Sequence, residues 1–149
     1  MGMRATLWLR PAEYYEAVRQ DPKADVGGDS YEESFDIDKA WNELHEALIQ
    51  EGEPLKYAIE GEYCPYGNFA ENESGANDGF VSSSLAARIS DALEALPFAH
   101  VLDAVRQWYL QRLDLTFNDD DYLKSHFETL KRAYRTAKER GMTLHIGIF

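Results

Sequence analysis

The amino-acid sequence predicts an α+β fold, a small mixed or antiparallel sheet that includes the N- and C-terminal strands and packs against about five helices. Three observations carry this. Segments of alternating apolar character lie near both ends of the 149-residue chain. Between them, successive stretches repeat apolar residues at helical spacing. Apolar residues make up 44% and aromatic residues 13% of the chain, enough for one packed interior. A chain of this length supports a single domain, residues 1–149, and neither an internal repeat nor a low-complexity linker divides it.

The elements follow in order. Residues 3–9 alternate β-forming residues up to Arg10-Pro11, where a first helix begins with proline at its first position and runs to about Gln20. Asp21-Pro22 stops it, because a residue before proline is pushed out of the helical region. An acidic loop is expected next, through Gly27-Gly28 and Glu32-Glu33. The second helix is expected to open within Phe35 to His45, with Asp36 or Asp38 capping it and Ile37, Trp41, Leu44 and Leu48 on its core stripe. Residues 54–59 suit one or two helical turns, followed by a long acidic loop punctuated by Gly61, Pro65, Gly67 and Gly75.

Gly79-Phe80-Val81 reads as a short strand, and Ser82 as the N-cap of a helix to about Leu96 whose buried face holds Ala86, Ile89 and Leu93. Pro97 separates it from a helix to about Arg112 that carries Val101, Val105, Trp108 and Tyr109. The last helix spans residues 118–140, with Leu123, Phe127, Leu130, Tyr134 and Ala137 on one face and Gly141 as its stop. Three aspartates at its start and several bases toward its end match the helix dipole. Residues 142–149 alternate as the closing strand.

Charge is distributed unevenly. Residues 1–78 hold eighteen Asp and Glu against six Lys and Arg, whereas residues 79–149 hold nine of each, so the formal charge of −12 belongs to the first half. Such a surface repels phosphate backbones and anionic lipid and attracts basic partners, so nucleic acid and membranes are poor candidates. No apolar run approaches the roughly 18 residues of a membrane span, and the opening residues lack the pattern of a secretory signal. The single cysteine, Cys64, has no partner for an internal disulfide. A monomeric cytoplasmic protein is expected.

Four segments carry a family resemblance. Asp36-Ile37-Asp38-Lys39-Ala40-Trp41-Asn42-Glu43-Leu44-His45, then Pro54 to Glu62, the strand–cap–helix unit from Gly79 to Leu96, and Ala133 to Gly141 resemble, in the same order, the YfbM-like family of small bacterial proteins with no established function. One departure is Ser83-Ser84-Leu85, where similar proteins often carry proline and acidic residues. The resemblance implies an α+β fold and a cytoplasmic bacterial protein. It supplies no catalytic residues.

The candidate site residues therefore come from chemistry. If the second helix opens at Phe35, Asp38, Trp41, Asn42 and His45 share one of its faces, which sets a carboxylate, an indole, an amide and an imidazole in line. His45 is then the candidate general base of a small-molecule enzyme whose pocket adjoins Trp41 and the loop from Tyr63. A core tryptophan, a capping aspartate and a satisfied boundary histidine explain the same residues without function. His100, His126 and His145 stand far apart in the sequence, and Asp36, Asp38, Glu60 and Glu62 fit no calcium loop, so no metal and no cofactor are expected. The favoured reading is a non-catalytic acidic protein that recognises a basic protein partner, as inhibitors and immunity proteins do. Its binding residues are expected among Asp36, Asp38, Trp41, Asn42, His45, Glu60, Glu62 and Tyr63.

Overall fold

A computed structural model describes residues 3–22, 33–67 and 77–149. Four strands, β1 (Ala5–Arg10), β2 (Glu33–Asp38), β3 (Asn77–Val81) and β4 (Thr143–Ile148), form one sheet in the order β2-β1-β4-β3. Every neighbouring pair is antiparallel. The N- and C-terminal strands thus sit side by side at the centre, with Leu7 opposite Ile146 and Leu9 opposite Leu144.

Period-two alternation sorts the sheet into two faces. Ala5, Leu7 and Leu9 of β1, Phe35 and Ile37 of β2, Val81 of β3, and Leu144, Ile146 and Ile148 of β4 point into the main core. Helices α2 (Trp41–Ile49), α3 (Ser83–Ala95), α4 (Phe98–Leu113) and α5 (Asp120–Arg140) close that face. α5 lies across β2, β1 and β4 and packs along α3, and its 21 residues bury Leu123, Phe127, Leu130, Tyr134 and Ala137 on one stripe. Tyr134 is fully buried, and its hydroxyl donates to the Ala58 carbonyl at 2.6 Å, which satisfies the one polar atom it takes into the core. The nine-residue α1 (Ala12–Gln20) covers the opposite face, where Tyr15 and Val18 pack on Phe80.

Local chemistry set several boundaries. The Ser82 hydroxyl accepts from the Leu85 N–H at 3.3 Å and starts α3, as its sequence predicts. Gly141, at φ 63°, ends α5. Residues 55–57 make a single 3₁₀ turn.

The second helix differs from expectation. Glu33–Asp38 is strand β2, and α2 starts at Trp41, so neither Asp36 nor Asp38 caps a helix. The physical reason is the free edge of β1: pairing there buries Phe35 and Ile37 and turns Ser34 and Asp36 outward. β2 ends at Asp38, whose φ of 49° turns the chain and whose N–H donates to Asp36 Oδ1 at 2.7 Å. Residues 33–38 and 77–78, expected within acidic loops, belong to β2 and β3. Residues 23–32 and 68–76 lie outside the described residues. Residues 60–63 run along β3, where Tyr63 and Phe80 exchange backbone hydrogen bonds at 2.9 and 3.2 Å. Gly61, at φ 90°, and Gly79 make that approach possible, because a Cβ on Gly61 would stand 2.7 Å from the Phe80 nitrogen and one on Gly79 would strike the Glu60 carbonyl.

Candidate functional site

The candidate carboxylates and Tyr63 fall at two opposite edges of the sheet, and Trp41, Asn42 and His45 on α2. Asp36 and Asp38 belong to β2, one edge strand, and both face Arg4, at 2.8 Å and 3.2 Å. Glu60, Glu62 and Tyr63 border β3, the other edge strand, with β1 and β4 between them and β2. Glu62 Oε1 accepts from the Ser82 N–H at 2.7 Å, the Glu60 carbonyl accepts from the Asn77 amide at 3.0 Å, and the Tyr63 ring lies 4.9 Å below the Arg19 guanidinium. The four carboxylates do not converge. Among the described residues no three His, Cys, Asp or Glu side chains come together as a metal-binding group.

Trp41, Asn42 and His45 share α2, but Asp38 lies outside it, so the four-residue face does not form. Trp41 packs against the core and its indole Nε1 donates to the Met3 carbonyl at 2.8 Å, tying α2 to the start of β1. His45 is 9% exposed. Burial lowers its pKa from 6.5 to about 4, so the imidazole is neutral at physiological pH. Its neighbour Glu43 points the other way and accepts from the Tyr109 hydroxyl at 2.6 Å. Burial first, and then Glu43 and Asp119, hold that phenol well above its ordinary pKa.

The sequence did not single out His145, which sits in a ring cluster on the sheet face beneath α1. Trp8, His145 and Phe80 are cross-strand neighbours on β1, β4 and β3. The His145 ring stacks on Phe80 with centroids 4.4 Å apart and leans on Trp8 at 4.9 Å, with Tyr14 of α1 at 6.4 Å. His145 Nε2 meets Asp78 Oδ1 at 2.8 Å, and Nδ1 is buried without a hydrogen-bond partner. A carboxylate that fixes an imidazole in this way can prepare it for proton transfer. Here the second nitrogen is shut beneath aromatic rings, so the pair acts as a strut between β3 and β4. Alternation in Thr143–Ile148 sets His145 opposite Leu144 and Ile146, a signal legible in the sequence; its partner, 67 residues away, is not. A surface cleft of about 440 Å³ lies elsewhere, between the start of α1 and the turn into β4, lined by Pro11, Ala12, Glu13, Arg140, Gly141 and Met142. None of the candidate residues lines it.

The acidity is now localised. Residues 33–53, from β2 to just past the end of α2, hold seven Asp and Glu against Lys39, while Glu60 and Glu62 lie at the β3 edge. Residues 3–22 hold three acids and three bases.

These features define a small α+β protein with a four-stranded antiparallel sheet, an acidic β2–α2 flank and two histidines enclosed by packing. The chain belongs to the family described as "Domain of unknown function (DUF1877)", which matches residues 1–145. The fold is similar to the crystal structure of YfbM, a protein of unknown function from Escherichia coli, with a TM-score of 0.69 and 20% identity over 99% of this chain and 100% of that one. That likeness establishes the shared fold. No curated protein matches the chain. Among the described residues no helix is long and apolar enough to cross a membrane.

Proposed function

We propose that this protein is a non-catalytic acidic binding protein of the cytoplasm that recognises a basic protein partner through its β2–α2 flank. The observation that carries the reading is the charge of residues 33–53, seven acids against the single base Lys39. Glu43 is held by a group that does not neutralise it, accepting from the Tyr109 hydroxyl. A field of this sign steers a cationic surface toward the flank and makes association sensitive to salt. An enzyme built on His45 is less favoured, because a proton acceptor must reach its substrate and His45 is enclosed.

The test is capture of binding proteins from the native host by the immobilised wild type and by the triple variant Glu46→Gln, Glu51→Gln, Glu53→Gln. The reading expects a basic protein that the wild type retains at low salt, releases at high salt, and that the variant retains poorly. Equal retention by wild type and variant, or no partner at either ionic strength, refutes it.

A further inference from the structure

α4 ends in three exposed leucines. Leu110 is 62% exposed, Leu113 47% and Leu115 56%, and together they are three of the seven large apolar side chains exposed among the described residues. They also form one group. Leu110 and Leu113 are three residues apart on the helix and share a face. Asp114 then adopts the left-handed conformation at φ 53°, and the Leu115 N–H turns back to donate to the Tyr109 carbonyl at 3.2 Å. That turn holds Leu115 against the end of α4.

The group stands on a fixed base. The Tyr109 ring, next to Leu110, packs on Phe117 with centroids 5.0 Å apart, and its hydroxyl is held by Glu43 of α2. At the other end of α4, His100 meets Glu51, just past α2. The two helices therefore run antiparallel, with the leucines at the end of α4 that lies beside the acidic start of α2. Acids follow closely in the chain, at the end of α4 and the start of α5. Asp114 separates Leu113 from Leu115, and Asp119, Asp120 and Asp121 follow. Of the two bases in this stretch, Arg106 is paired with Asp120 at 2.6 Å, leaving Arg112 beside the leucines.

An apolar centre with an acidic rim has a complementary partner of definite chemistry. A second copy of the chain would bring one acidic rim against another, so charge selects against self-association. We propose that the end of α4 is a docking surface for a basic amphipathic helix of a partner protein, whose apolar side chains seat on Leu110, Leu113 and Leu115 while its lysines and arginines face Asp114, Asp119 and Asp121. This inference rests on the acidic-binder reading and adds to it a specific surface and the form of the partner's contact.

The test is fluorescence anisotropy of a labelled leucine–lysine helical peptide titrated with the full chain. Salt-sensitive binding is expected, weakened about tenfold in Leu110→Ser/Leu113→Ser and a few-fold in Asp114→Asn/Asp121→Asn. Circular dichroism and melting temperature verify that both variants fold; all four positions are on the surface. Peptide binding that is unchanged in both variants overturns the proposal. So does a concentration-dependent dimer in sedimentation that Leu110→Ser/Leu113→Ser disperses, because a second copy is then the occupant. Capture of a basic host protein equally by wild type and Leu110→Ser/Leu113→Ser overturns this surface while leaving the acidic reading intact; failure of that reading shows separately, as no salt-sensitive capture by the wild type.

Discussion

Enclosure of His45 makes the fold sensitive to mild acid, and the size of the effect can be worked out. The ordinary value of 6.5 describes the unfolded chain, and burial lowers the folded value to about 4. Between those values the unfolded chain binds the proton more readily, so stability rises with pH. The contribution is complete above 6.5 and is lost as pH falls toward 4. Linkage gives a loss of about 2 kcal/mol between pH 7 and pH 5, and about 3 kcal/mol by pH 4. Carboxylates titrate in the same range, so the His45 contribution must be read as a difference. His45→Leu keeps similar bulk and does not titrate. Urea unfolding of both proteins, followed by circular dichroism at intervals from pH 7 to pH 4, should show the wild type losing about 2 kcal/mol more than the variant by pH 5. A constant offset between the two proteins reflects packing and is irrelevant to the test. Parallel curves across the whole range would refute the reasoning, as would a His45 resonance titrating near its ordinary value in the native protein.

Two further substitutions probe contacts that position the sheet edge and the core. Gly79→Ala drives a Cβ into the Glu60 carbonyl and must push residues 60–63 away from β3; a cost of about 2–3 kcal/mol should lower the melting temperature by about 5–10 °C, and an unchanged melting temperature would mean that the segment does not lie against the strand. Tyr134→Phe keeps the ring and deletes the hydroxyl that bonds Ala58 at 2.6 Å, leaving a buried carbonyl without that donor; denaturant unfolding should register a loss of about 1–2 kcal/mol.

What the sequence revealed follows how local the determining interactions are. The α5 stripe, the Ser82 cap and the Gly141 stop are decided within a few residues of themselves, and each appears where the spacing predicts it. The family resemblance pointed to the same α+β fold. The sequence over β2 fits a helix because Ile37, Trp41, Leu44 and Leu48 satisfy a helical stripe, although Phe35 and Ile37 equally satisfy period-two alternation. What decides between them is the edge of β1, some thirty residues upstream in the sequence, and no local pattern reports it. The misplaced Asp38 then gave the expected site a fourth member that the structure assigns to the Arg4 pair. His145 shows the converse: its strand was legible, but its enclosure depends on Trp8, Tyr14, Asp78 and Phe80, brought together by three separate elements and β4.

Folding treats the charges of the two halves differently, and this bears on function. In the second half, Glu94 meets Arg135 and Lys131, Asp91 meets Lys138, and Asp120 meets Arg106, so much of the balanced set is used in joining helices to one another. In residues 33–67 the acids outnumber local bases and reach outward to Arg4, Arg140, His100, the Tyr109 hydroxyl and a backbone N–H. The exposed pairs contribute about 0–1 kcal/mol each, and the uncompensated charges repel one another in the compact state. Stability alone therefore gives no reason for this excess. A cationic partner would give one, since a negative field speeds its association. The exposed leucines of α4 sit where that field and an apolar contact can act on the same segment. Loss of peptide affinity in Leu110→Ser/Leu113→Ser, with the salt dependence retained, would separate the contact from the steering that delivers it.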